Sequence, residues 1–134
     1  MIPYGKQNIN QDDIEAVLKV LESDYITQGP IVPAFEKKIS NYCKSKYAVA
    51  VNSATSALHI ACKALDLKTG DIAWTSPNTF VASSNCVLYC GGTPVFCDIN
   101  KNTMNIDIEK IEKLITNKTK AIIAVDFAGQ VNNY

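Results

Sequence analysis

Two short stretches of this 134-residue chain hold most of the groups that could do chemistry. The first is Asn52-Ser53-Ala54-Thr55-Ser56-Ala57-Leu58-His59-Ile60-Ala61, where three hydroxyl side chains open a helical pattern directly after the apolar run Tyr47 to Val51. The first turn of a helix has amides without intrahelical partners and carries the positive end of the dipole, so it can hold an anion. The hydroxyls of Ser53, Thr55 and Ser56 add donors there. The stretch lacks the Gly-x-x-x-x-Gly-Lys spacing that wraps a nucleoside triphosphate and the Gly-x-Gly-x-x-Gly of a dinucleotide fold, so a single phosphate monoester fits it better. Taken alone, Ser53 also suits a plain helix cap. The second stretch is Ser76-Pro77-Asn78-Thr79-Phe80-Val81-Ala82-Ser83-Ser84-Asn85, which follows the apolar run Ile72 to Thr75. Phe80 stands at the start of its helical pattern, where an aromatic face can lie against a flat heterocycle, although phenylalanine serves as core as well. A phosphate cup and an aromatic plate on neighbouring strand ends suit a phosphorylated aromatic cofactor.

Positioning these groups requires alternating strands and helices. Apolar residues recur at helical spacing at Ile14, Val17, Leu18 and Leu21, with Gln11, Asp12 and Asp13 at the start, so a helix is expected over 12–22. Residues 23–33 contain one glycine and two prolines and are expected to form an extended loop. A second helix is expected to carry Phe35, Ile39 and Tyr42 on one face. Strands are then expected at 47–51, 72–75, 93–97 and 121–125, with helices at 54–65, 80–88 and 108–115. Continuous apolar runs imply strands covered on both faces, which predicts an α/β fold with a mainly parallel sheet and helices on both faces. Ligands of such folds bind at the carboxyl edge of the strands. The run 121–125 reads as a central strand, yet only nine residues follow it, so the chain is expected to be truncated relative to its folding unit.

Charge and composition narrow the partners. Lysine plus arginine and aspartate plus glutamate number 13 each, so no net field draws the chain to nucleic acid or to an anionic membrane. No run approaches the roughly 18 apolar residues of a membrane span, and the start lacks a signal-peptide pattern, which makes the cytoplasm the expected location. Five cysteines and one histidine, with no Cys-x-x-Cys pair, do not make a metal site. The thiols are expected to be buried small apolar side chains in a reducing compartment, with Cys86 and Cys90 sharing a helix face.

Four segments in order, Tyr25-Ile-Thr-Gln-Gly-Pro30, Asn52-Ser-Ala-Thr-Ser-Ala-Leu58, Ser76-Pro-Asn-Thr-Phe-Val-Ala82 and Thr93-Pro-Val-Phe-Cys-Asp98, give the chain a specific signature. In their order and spacing the chain resembles the DegT-type sugar-nucleotide aminotransferases, which are fold type I pyridoxal-phosphate (PLP) enzymes. The resemblance implies the N-terminal part of the fold type I large domain. Residues 1–33 would form a helix and substrate-side loop, and 34–134 an incomplete PLP-binding domain. It implies that Ala54, Thr55 and Ser56 hold the PLP phosphate, that Phe80 stacks on the pyridine ring, and that Tyr4, Asp24, Tyr25, Ile26 and Thr27 lie near a nucleotide-sugar substrate. Read without the resemblance, Asp24 to Thr27 would be a connector. Val125-Asp126-Phe127-Ala128-Gly129-Gln130 is similar to the UDP-4-keto-6-deoxy-sugar aminotransferases of pseudaminic acid synthesis, while Asp126 itself serves to cap or turn the chain.

PLP transamination needs a lysine amine to hold the cofactor and move protons, and an acidic partner for the pyridine nitrogen. In the family both lie beyond the end of this sequence, so no catalytic residue is assigned here, and Lys63 and Lys68 read as solvated surface charges. The resemblance further implies an amino-acid donor such as glutamate and a homodimer for the full-length protein. A PLP-dependent sugar dehydratase of the same fold, with histidine in place of the lysine, and a non-catalytic α/β module binding a phosphate ligand or a partner protein remain alternatives.

Overall fold

Capping decides where the first helix begins. In the computed structural model, which describes residues 5–133, α1 (Gln11–Leu21) opens on a reciprocal pair. The Asn10 side chain accepts the Asp13 N–H at 3.0 Å, and the Asp13 carboxylate accepts the Asn10 N–H at 2.9 Å. Helix α2 (Ile31–Tyr42) begins two residues before Pro33, inside the stretch expected to be loop. Proline is tolerated in a first helical turn because its missing N–H would have no partner there, so Pro33 marks a helix start rather than a break. The loop therefore spans 22–30 only. Glu36 accepts the Ala50 N–H at 2.9 Å and ties the following segment to α2. The run 47–51 forms no strand, in contrast to expectation: it has no ladder partner among the described residues, and Tyr47 and Val49 are exposed. An apolar run specifies a strand only when a neighbour supplies hydrogen bonds.

The chain divides into two compact units, one ending at Ala50 and the other beginning at Val51. The second unit is the α/β part. Its elements are α3 (Ala54–Ala64), β1 (Ile72–Thr75), α4 (Ala82–Tyr89), β2 (Thr93–Phe96), α5 (Ile108–Glu112) and β3 (Thr119–Ile123), closed by a 3-10 turn at Phe127–Gly129. The three strands are parallel in the order β2-β1-β3, with an irregularity between Ile72 and Ala73 where β1 meets β3. Strand β3 starts two residues earlier than its apolar run and lies at the edge of the described sheet rather than at its centre. Thr119 joins the ladder opposite Ile72 through main-chain pairing, which hydropathy does not record, and Lys120 falls at the irregularity between that pair and Ala73–Ala121. Helix α4 starts at Ala82, two residues after Phe80, and α5 ends at Glu112, three residues short of the expected end.

Consecutive side chains of β1 point to opposite faces and enter different cores. Ala73 packs with Cys62, Leu67, Cys86, Val87 and Cys90 from the α3–α4 side, joined by Ala121 and Ile123 of β3. Trp74 packs on the other face with Cys97, Ile106 and Ile111, joined by Ile72 and Val95. The expected covering of both sheet faces is thus present. One glycine is required by close approach: a Cβ on Gly92 would lie 2.4 Å from Leu67 Cδ2 and 3.1 Å from Val87 Cγ1. Gly92 lets the chain turn from α4 into β2 directly over the first core. Four of the five cysteines are buried as expected, but Cys43, at the end of α2, is exposed. Helix α2 buries only Ser40, so its C-terminal cap has no core to enter.

Candidate functional site

Two junctions of the second unit open at one edge of the sheet. Helix α3 leads into β1 through residues 65–71, and α4 leaves β1 through 76–81 and returns to β2 through 90–92. Connections this short make both helices run against the strands, which brings their N-termini to the carboxyl edge.

At the first junction Ser53 is the N-cap of α3, and its hydroxyl oxygen accepts the Ser56 N–H at 3.2 Å. The capping reading of Ser53 is therefore realised in the structure. The Ser56 hydroxyl donates to Asn52 Oδ1 at 2.7 Å and lies 3.1 Å from Ser53 Oγ. Among the described residues the Thr55 hydroxyl has no hydrogen-bond partner, and the amides of Ala54 and Thr55 precede the first intrahelical bond, made by Ala57 N–H to the Ser53 carbonyl at 3.0 Å. No carboxylate occurs between Asn52 and Ala64 to oppose an anion. A single phosphate fits this donor set: two amides and one hydroxyl are free, and the helix dipole points at them.

At the second junction Phe80 is 75% exposed, so it is not core. The strand that leads to it is firmly anchored: Thr75 is buried and its hydroxyl donates to the Ile123 carbonyl at 3.0 Å. The hydroxyl of buried Ser76 accepts the Asn78 N–H at 3.1 Å, and the hydroxyls of Thr79 and Ser83 lie 2.8 Å apart. Ser76, Thr79 and Ser83 thus hold the segment that presents the ring. Sequence reasoning singled out Phe80 and left these three without a role, since hydroxyl residues at a strand-to-helix junction are common and nothing in their spacing shows which of them pair.

Beyond β3, two buried asparagines shape the chain. Asn105 donates to the Gln130 carbonyl at 2.7 Å and accepts the Phe127 N–H at 3.0 Å. Asn132 donates through Nδ2 to the Val125 carbonyl at 2.9 Å and to Asp126 Oδ1 at 2.7 Å, and Asp126 Oδ1 also accepts the Asn132 N–H at 2.9 Å. Asp126 is a turn residue, in keeping with the role read for it. Ala128 adopts φ +52°, a left-handed conformation that these bonds hold in place. No sequence signal marked Asn105, whose partners lie 22 and 25 residues away.

The residues expected on the substrate side fall in the first unit, apart from Tyr4, which lies outside the described residues. Asp24, Tyr25, Ile26 and Thr27 are exposed. Ser23 shapes their loop: its hydroxyl donates to the Val20 carbonyl at 2.8 Å and accepts the Tyr25 N–H at 3.3 Å. Gly29 passes so close to Tyr25 that an added Cβ would lie 2.7 Å from the tyrosine Cβ. A cleft of about 490 Å³ between α1 and this loop is lined by Asp12, Lys19, Ser23 and Tyr25 among others, and Tyr25 is the one of the four loop residues that reaches it.

Titration of the second unit is governed by burial and by ion pairs on its surface. Burial pushes the Cys62 thiol up to about 12, helped by its hydrogen bond with Cys86 and the nearness of Cys86 and Cys90, and burial likewise raises Cys97. The hydrogen bond from Lys110 holds Asp98 below the usual carboxylate range, with the Ile99 N–H adding to it, and Lys68 does the same for Asp66. Lys68 is accordingly a solvated surface charge, as read from the sequence. Among the described residues no group of three or more histidine, cysteine, aspartate or glutamate side chains could hold a metal ion, and no helix is long and apolar enough to cross a membrane.

Known proteins share both the sequence and this architecture. The chain is 46% identical over 132 residues to the UDP-4-amino-4,6-dideoxy-N-acetyl-beta-L-altrosamine transaminase of Campylobacter jejuni, covering 96% of this chain and 35% of that protein. It is 44% identical over 129 residues to the spore coat polysaccharide biosynthesis protein SpsC of Bacillus subtilis, covering 96% and 33%. Among solved structures, Spr1654 from Streptococcus pneumoniae in its PLP-form superposes with a TM-score of 0.94 at 36% identity, over 98% of this chain and 34% of that one. Helicobacter pylori PseC, an aminotransferase involved in the biosynthesis of pseudoaminic acid, superposes with a TM-score of 0.87 at 38% identity, over 97% and 35%. The chain thus spans about a third of the length of the relatives it matches. The sequence profile of the DegT/DnrJ/EryC1/StrS aminotransferase family matches residues 7–134, and the chain belongs to that family.

Proposed function

We propose that this chain supplies the phosphate and ring contacts of a PLP-dependent aminotransferase that moves an amino group from an amino acid, glutamate in our reading, to a keto sugar carried on a nucleotide. The observation that carries the proposal is the pair of junctions at one sheet edge, free first-turn donors at α3 and an exposed ring before α4, in a chain whose fold matches a PLP-form structure. In this reading the amides of Ala54 and Thr55 and the hydroxyls of Thr55 and Ser56 hold the phosphate. Ser56 turns its proton from Asn52 to the phosphate oxygen as the anion arrives. Phe80 lies against the pyridine ring. When bound, PLP supplies an electron sink that lets an amino group pass between carbon atoms.

Residues 1–33 are assigned to the substrate side and 34–134 to the cofactor domain, with Tyr4, Asp24, Tyr25, Ile26 and Thr27 facing the nucleotide sugar. The Campylobacter and Helicobacter relatives support a UDP-linked 4-keto-6-deoxy-N-acetyl hexosamine as that substrate. None of the lysines here falls in the family's lysine motif, so the 134 residues alone are expected to bind without turnover. The functional protein is expected to be a cytoplasmic homodimer.

The test uses the full coding sequence that contains this chain, loaded with PLP and given glutamate and the UDP-keto sugar. Formation of the amino sugar together with 2-oxoglutarate is expected. A Thr55→Val, Ser56→Ala double variant is expected to lose about 10-fold or more in PLP affinity, since each hydrogen bond to a charged group is worth about 1.5–3 kcal/mol. Loss of a sugar hydroxyl with no amino transfer would replace the proposal with the dehydratase. A protein that binds no PLP would overturn it.

A further inference from the structure

The segment that carries the exposed Phe80 is tied down by hydroxyl groups. Between the last residue of β1 and the first turn of α4 the side-chain hydrogen bonds come from hydroxyls. Thr75 bonds to β3, Ser76 accepts the Asn78 N–H, and Thr79 pairs with Ser83 at 2.8 Å. Ser83 is 7% exposed and takes hold of the segment on both sides of the ring. Its hydroxyl meets the Thr79 hydroxyl, one residue before Phe80, and its N–H donates to the Phe80 carbonyl at 3.1 Å. The neighbouring Ser84 hydroxyl donates to the Val81 carbonyl at 3.0 Å, which fixes the residue after the ring.

An exposed phenyl left to itself moves among rotamers or folds back onto apolar surface, and a flat ligand that needs it must pay for its ordering on binding. A main chain pinned on both sides removes that cost in advance. We infer that Thr79 and Ser83 are positioning residues for the aromatic plate, their hydroxyl pair fixing the direction in which Phe80 faces a planar ligand ring. The inference rests on the reading of Phe80 as the cofactor's plate. It makes these hydroxyls determinants of cofactor affinity and orientation.

The test measures PLP affinity and the visible circular dichroism of the bound cofactor in the full-length protein and its Ser83→Ala, Thr79→Val, Thr79→Ser and Phe80→Ala variants. Ser83→Ala and Thr79→Val are each expected to weaken PLP binding about 3- to 10-fold, the range of one lost neutral hydrogen bond, and to reduce the dichroic band per bound cofactor. Thr79→Ser keeps the hydroxyl and is expected to restore both. A purely structural role would lower the melting temperature and leave the band per bound cofactor unchanged. Should Ser83→Ala fail to fold, the Thr79→Val and Thr79→Ser pair decides the matter. Wild-type affinity and dichroism in Thr79→Val, alongside weakened binding in Phe80→Ala, would overturn the positioning role and leave the plate standing. Unchanged binding in Phe80→Ala would remove the plate and the positioning role with it.

Discussion

Helices α1 and α3 each have 11 residues and an N-cap whose side chain accepts the N–H of the third helical residue. Their surroundings differ sharply. Helix α1 buries no residue, and Ile14, Val17, Leu18 and Leu21 are exposed within the structure. Helix α3 places Cys62 and Leu58 in a core shared with α4 and the sheet. The comparison separates what makes a helix from what makes a site. Local capping and spacing suffice for the first. In the proposed reading, a free N-terminus becomes a cofactor cup only when a packed sheet holds the helix at the edge where another junction presents a ring.

The largest effects should separate the two units by burial. Trp74→Ala removes the centre of the second core, where Trp74 is 7% exposed, and is expected to cost about 3–5 kcal/mol of stability in a denaturant titration. Leu18→Ala on α1 is expected to stay within about 0.5 kcal/mol in this chain. Equal losses would show that the apolar face of α1 is covered in the folded protein. Asn105→Ala leaves a main-chain N–H and a carbonyl without partners, and a loss of about 1–3 kcal/mol is expected.

Thiol chemistry sharpens the same contrast. Native-state labelling with a maleimide should modify exposed Cys43 at least about 100-fold faster than Cys62, Cys86, Cys90 or Cys97, as site-selective thiol reactivity requires. Rapid labelling of Cys62 at neutral pH would contradict its packing. Its thiol is raised from 9.0 to about 12, so the folded state holds the proton more tightly than the unfolded state. That contribution is fully present below pH 9 and is lost as the pH rises from about 9 to about 12, which a series of alkaline melts can follow.

The two caps should then agree in stability and differ in function. Asn10→Ala and Ser53→Ala are each expected to cost about 1 kcal/mol, yet only Ser53→Ala is expected to weaken PLP binding as well. Reduced PLP binding in Asn10→Ala would erase the functional distinction between the helices. The smallest effect belongs to Asp98, an exposed carboxylate paired with Lys110 at 2.8 Å. Its folded value lies below the ordinary one, so its contribution is present above about pH 3.9 and is lost as the pH falls through the folded value. Asp98→Asn should flatten a small part of the acid limb of the melting curve.

Much of the molecule is legible in residue order because the relevant signals are local. Periodicity placed α1 and α3, three apolar runs located β1, β2 and β3 to within two residues, and Ser53 followed by hydroxyls marked an anion-ready turn. Two of the failures share a cause, and the third is a local matter of where a proline stands. The run at 47–51 is as apolar as a strand but finds no ladder partner, Pro33 sits where a helix tolerates it, and β3 begins at Thr119 because its main chain pairs with Ile72 of β1. Hydrogen-bond partners far away in sequence leave no trace in hydropathy.

The sequence by itself determined the existence of the helices, the Ser53 cap and the residue types at the two junctions, since each depends on neighbours within a few positions. Four ordered segments also carried the family, which the profile match over 7–134 bears out. Only the tertiary structure decided that Phe80 is exposed rather than core, that Ser83 grips it through Thr79, and that Asn105 reaches residues 127–130. Those outcomes depend on which strand lies beside which and on how two cores divide the alternating side chains of β1, and parallel pairing across 20 residues or more is a property of the folded chain.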